Sequence, residues 1–147
     1  MVGEITQMKT FAEVIGHFAG KPASKKSFDD ENGYSCLGFP YALYRDMGLN
    51  FPCTYGDLTL ENYNEKYEVG SEEAYKKLLE FAETVGVGVE PHQKVAGDFL
   101  ILKDKAGNIF PGIYAGNGQV TCCFEHTGIK TFSAEGKVTA IVVRRLR

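Results

Sequence analysis

The chain has 147 residues, 44% hydrophobic, 24% charged and 12% aromatic, a balance that suits one globular domain over residues 1–147 with its own core. Its formal charge is −3, and no basic cluster exceeds the terminal "RRLR", which excludes the concentrated Lys/Arg footprint of a nucleic-acid binder. No run approaches the ~20 apolar residues of a membrane span. The N-terminal "MVGEITQMKTFAEV" lacks a basic segment followed by an apolar core, so we expect no signal peptide, no membrane partner and a protein cytoplasmic as synthesised.

In chain order, "MKTFAEVIGHFAG" sets Phe11, Val14, Ile15 and Phe18 on one helical face and stops at Gly20-Lys21-Pro22. A polar loop, "KPASKKSFDDENGY", leads to Cys36, and a second helix is predicted from about Ser35 or Cys36 to Gly48. Pro40 then falls in its first turn, where a missing N–H is tolerated. After a tyrosine-rich connection, "SEEAYKKLLEFAETVG" predicts a third helix with Ser71 as N-cap and Glu72 and Glu73 at the positive end of the dipole. His92 lies in the following loop. Beyond Asp98 the period shortens: "FLILK", "NIFPGIY", "QVTCCF", "IKTF" and "KVTAIVV" are β-type runs separated by Gly-containing turns. Helices followed by an antiparallel meander predict an α+β domain, with N-terminal helices packed on a sheet of about five strands.

Four cysteines, Cys36, Cys53, Cys122 and Cys123, do not make a disulfide scaffold at this length and are expected as thiols. Cys36 is singled out by its place. A cysteine opening a helix feels the unpaired N–H groups of the first turn, which favour the thiolate, the form that attacks carbonyls. The same placement also suits a merely packed thiol, since Cys is among the most buried residue types. A nucleophile further needs a base within hydrogen-bond reach and a group that orients the base.

Three segments in series carry a family resemblance. "SCLGFPYALYRDMGLNFP" resembles the nucleophile segment of the NlpC/P60 cell-wall cysteine peptidases, "VAGDFLIL" their "PGDLVFF" strand, and "FPGIYAGNGQVTCC" their "HVGIYLGNGKMIHA" hairpin. The tyrosine-rich stretch after the nucleophile helix is most similar to the phage-tail branch. The resemblance implies a papain-like core and an ancestral hydrolysis of peptidoglycan stem peptides, after γ-D-glutamyl. It sets Cys36 on the nucleophile, Phe110 on the general-base histidine and Cys122 on the third triad residue. Ser35 stands where an acidic residue often precedes the nucleophile, and Tyr34 corresponds to a substrate-contacting tyrosine. Phenylalanine can neither accept a proton from sulfur nor pass one to a leaving amine. Loss of a positioned base costs ~10²–10⁴-fold.

Of the three histidines, His17 reads as solvent-facing on the first helix and His92 as a bystander. His126 is the candidate for a displaced base. If Gly116–Gly118 forms a three-residue hairpin loop, Ala115 faces Gln119, Phe110 faces Phe124, and Phe110, Cys122, Phe124 and His126 share one face. A two-residue turn at Asn117-Gly118 would reverse the parity of His126.

On that face Cys122 would lie in the cleft of Cys36, making a Cys36–Cys122 disulfide conceivable, although a reducing compartment opposes it. Zinc is not expected, because adjacent Cys122 and Cys123 point to opposite faces of a strand. No cofactor is called for.

The leading expectation is therefore an NlpC/P60-like domain with degenerate catalytic positions. It would be a pseudoenzyme that binds cell-wall peptide or serves as a phage-tail or prophage structural component, associated with a virion or tail. The alternative is an active cysteine peptidase or amidase with Cys36 as nucleophile and His126 as displaced base.

Overall fold

The computed structural model describes residues 9–24, 28–56, 58–59 and 71–147. The tyrosine-rich segment used in the comparison with the phage-tail branch lies largely outside them.

Helix α1 (Phe11–Phe18) begins at a reciprocal cap. The Thr10 hydroxyl accepts from the Glu13 amide at 3.3 Å, and the Glu13 carboxylate accepts from the Thr10 amide at 3.1 Å. Its 3.6-residue stripe buries Val14 and Phe18. Two short strands, β1 (Phe28–Asp29) and β2 (Gly33–Tyr34), form a hairpin that delivers the chain to the cysteine.

Helix α2 (Gly38–Asp46) starts three residues after Ser35, the earliest predicted position, and Pro40 sits in its first turn as expected. A second small hairpin follows, β3 (Thr54–Tyr55) with β4 (Leu58–Thr59). Helix α3 (Glu72–Ala82) is capped by Ser71, whose hydroxyl accepts from the Ala74 amide at 3.1 Å, and it buries Ala74, Leu78, Phe81 and Ala82.

All five predicted β-runs are strands: β6 (Phe99–Asp104), β7 (Ile109–Gly116), β8 (Gln119–Phe124), β9 (Gly128–Ser133) and β10 (Val138–Arg145). A two-residue strand β5 (Val87–Gly88) adds a sixth at the edge, giving an antiparallel sheet in the order β5-β10-β6-β7-β8-β9. This is the expected α+β architecture.

Strand alternation divides the sheet into two chemically distinct faces. Phe99, Ile101, Ile113, Cys123 and Ile129 point to the helices and join Phe18, Leu43 and Phe81 in the main core. Leu100, Leu102, Val120, Cys122 and Val143 point the other way and build a second apolar cluster with the half-buried rings of Phe110, Tyr114, Phe124 and Phe132. Gly112 reports how tight that outer layer is. A Cβ there would lie 2.8 Å from both the Cys122 sulfur and a Leu102 methyl.

A buried carboxylate ties the layers together. Asp98 is 2% exposed and holds Arg145 by two bonds of 2.9 Å, while also accepting from the Val95 amide at 2.8 Å. One residue earlier, the Gly97 carbonyl accepts from the Tyr44 hydroxyl of α2 at 2.7 Å.

Candidate functional site

The segment before α2 determines where Cys36 stands. Ser35 is buried, its hydroxyl accepts from the Gly38 amide at 2.8 Å and its carbonyl accepts from the Phe39 amide at 3.0 Å. It therefore caps the helix in place of Leu37, which occupies the N-cap without a side-chain bond. Cys36 follows directly, half-buried and packed against the main core.

Two opposed effects act on the Cys36 sulfur. The backbone amides of Cys36 and Leu37 favour the thiolate, as the helix start predicts, but burial outweighs them and pushes the thiol up to about 11. Neither an imidazole nor a carboxylate acts on it among the described residues.

The sheet residue beside this thiol is another thiol. Cys123 lies on the helix-facing side of β8, and its S–H donates to the Tyr34 carbonyl at 3.0 Å. Burial, with neighbouring Cys36 adding to it, pushes Cys123 up to about 12. Cys123, and not the Cys122 that the resemblance implies, is the cysteine on this face. The available signal was parity: Ile113 and Ile129 are core-type residues, and Cys123 pairs with Ile129 across the ladder.

The hairpin that carries the family resemblance adopts a different loop from the expected one. It turns on two residues, Asn117 and Gly118, both with positive φ (53° and 75°), closing on the Gly116–Gln119 pair. Ala115 is the extra residue of a bulge, so Tyr114 still pairs with Val120 and Ile113 with Thr121. The bulge restores the register that the shorter loop would have shifted. Phe110 accordingly meets Phe124, with ring centroids 5.7 Å apart.

Phe110, Cys122 and Phe124 do share one face, as expected, but the helices cover the other one, which corrects the expectation that Phe110 and Cys122 face Cys36. Both belong to the outer cluster, on the side of the sheet away from the helices. A Cys36–Cys122 disulfide is excluded by the same geometry, and all four cysteines are free thiols. Adjacent Cys122 and Cys123 do point to opposite faces. No group of three His, Cys, Asp or Glu side chains able to hold a metal occurs among the described residues.

The remaining candidates are dispersed. His126 is exposed in the β8–β9 turn. His92 is exposed in a single 3-10 turn, Pro91–Gln93. His17 is exposed at the end of α1 and contacts Asp30 at 2.9 Å. The Tyr34 ring is buried edge-on against Phe18, and its hydroxyl donates to Asp30 at 2.5 Å. Burial and that carboxylate together push the Tyr34 phenol above its ordinary range. Tyr34, Ser35 and Cys36 are thus brought together with Cys123. Phe110, Cys122 and His126 are not among them.

No family model and no curated protein matches the sequence. Solved structures do match the fold. An NlpC/P60 family protein from Bacillus cereus is 15% identical, with a TM-score of 0.60 over 94% of this chain and 40% of its own. NlpC1 from Trichomonas vaginalis is 12% identical, with a TM-score of 0.63 over 100% of this chain and 47% of its own. The NlpC/p60 domain of the peptidoglycan hydrolase SagA is 18% identical, with a TM-score of 0.56 over 90% of this chain and 100% of that domain. The chain thus spans less than half the length of the first two. At these identities the likeness is one of fold: three helices and the antiparallel sheet among the described residues are arranged as in NlpC/P60 domains.

Proposed function

We propose that this chain is an NlpC/P60-like module that keeps the cysteine helix without the proton chemistry of a peptidase, and acts by binding cell-wall peptide or as a structural part of a phage tail. One observation carries the reading. The thiol at the head of α2 is held neutral by burial, and its neighbour on the sheet is Cys123 rather than a base. A thiol with a pKa of about 11 is ionised in only about one molecule in ten thousand at pH 7. Amide cleavage also requires a proton for the departing nitrogen, which neither sulfur is suited to supply.

The fold neighbour that is a domain of a peptidoglycan hydrolase supports stem peptides as the ligand class. The phage-tail role rests on the resemblance of the Cys36 segment and the tyrosine-rich stretch after it.

Incubation of the purified protein with γ-D-glutamyl-containing stem peptides, read by mass spectrometry, tests this. We expect no Cys36-dependent cleavage, and peptide-induced NMR shifts near Tyr34 and Ser35 that persist in Cys36→Ala. Cleavage by the wild-type chain that disappears in Cys36→Ala would overturn the proposal. If cleavage also fell in His126→Ala, the active peptidase with that displaced base would take its place.

A further inference from the structure

We propose that the sheet face opposite Cys36 holds a binding site for a small anionic amphiphile, of the class of a monomeric medium-chain carboxylate. A groove of about 300 Å³ opens there, at the lower end of the size range of small-ligand sites. Its floor is aliphatic: Leu100, Leu102 and Val120 are almost fully buried, and Val138 and Ala140 continue it onto β10. An antiparallel sheet with one face on a core ordinarily turns polar residues outward on the other. Here the outward positions that line the groove on β6, β8 and β10 are apolar instead.

The wall gives the site its sign. Lys94 and His92 line the groove, and no carboxylate does so among the described residues. The Lys94 ammonium donates to the Pro91 carbonyl at 3.0 Å and stands 5.1 Å from the centre of the Tyr114 ring. Both partners are neutral, so they orient the ammonium without cancelling its charge, and two of its three protons stay free for a ligand. Lys94 forms no ion pair with a carboxylate among the described residues. On a chain of net charge −3, this is a local cation beside a dry floor. Charge complementarity therefore requires one anionic head and an apolar tail.

Titration of the full chain with decanoate, decanol and decylamine, each below its micelle concentration and followed by methyl NMR, tests the site. Decanoate is expected to shift Leu100, Leu102 and Val120 and to bind about fivefold more tightly than decanol, the upper end of what one exposed ion pair contributes. In Lys94→Gln, with an unchanged melting temperature, that preference should fall below twofold while decanol binding is retained. Raised salt should weaken decanoate selectively. The proposal fails if decanol or decylamine binds as well as decanoate, if Lys94→Gln leaves the preference intact, or if millimolar decanoate moves no methyl of the floor. It fails equally if the shifts follow protein concentration and centre on Phe110 and Phe124, which would mark self-association, or if only anionic vesicles bind.

Discussion

Cys36 and Cys123 are adjacent thiols in one apolar cluster, and both are raised by burial. The ordinary value is 9.0 and the folded value of Cys36 is about 11. A group raised in this way contributes stability that is complete below its ordinary value and is lost as pH climbs toward the folded one. Urea midpoints should therefore fall between about pH 9 and 11, and fall less steeply in Cys36→Ala; parallel slopes would refute the assignment. Alkylation gives an independent check. The thiolate is about a hundredfold scarcer than for an ordinary thiol, while greater nucleophilicity recovers about tenfold, so iodoacetamide should modify Cys36 about tenfold more slowly than a free thiol. Mass mapping at neutral pH should find exposed Cys53 modified first. The sequence made Cys36 visible because a cysteine before a helix start is a local pattern. The balance between helix amides and burial was not visible, since burial depends on how residues distant in sequence assemble the core against which Cys36 packs.

At the level of elements, the β7–β8 hairpin decides which side chains the cysteine helix can meet. The family pattern suggested that Phe110 and Cys122 occupy catalytic positions, yet both lie in the outer cluster. A Phe110→His/Cys122→His double variant would recreate that pattern in sequence. We expect it to leave the Cys36 alkylation rate within about twofold, because both imidazoles would project from the wrong face. Cys123→His, on the helix-facing side of β8, is the variant expected to change it. An acceleration produced by the double variant alone would overturn this assignment of faces. The two-residue turn also predicts a local cost: Gly118 has φ 75° with open space around it, so Gly118→Ala should lower stability by about 1 kcal/mol in urea unfolding. Loop length was ambiguous from "AGNG". A bulge at Ala115 and a three-residue loop yield the same pairing farther along the strands, and only backbone geometry separates them.

For the whole molecule, the "GD" of "VAGDFLIL" is where the layers are joined. Asp98 holds Arg145 at the end of β10, and Gly97 accepts from Tyr44 on α2. Removing the arginine leaves a carboxylate that is 2% exposed without its countercharge, so Arg145→Met should cost about 3 kcal/mol. Asp98→Asn, which leaves only a partly exposed guanidinium, should cost less. Guanidinium melts of the two variants check the order, and a larger loss in Asp98→Asn would show that the carboxylate matters through its amide bond to Val95 instead. This clamp joins residues 47 positions apart in sequence. No local pattern announces such a pair, although its acidic member sits in a motif readable from the chain.

The linear order of residues was enough to determine the α+β class, the cap of α3 at Ser71, the five long strands and the cysteine before α2, because periodicity and capping are properties of neighbouring residues. Tertiary structure alone decided which face of the sheet meets that cysteine. Alternation along β8 puts Cys122 and Cys123 on opposite layers, and which layer the helices cover is decided by packing between residues distant in sequence. Cys123, not Cys122, is consequently the thiol that stands beside Cys36.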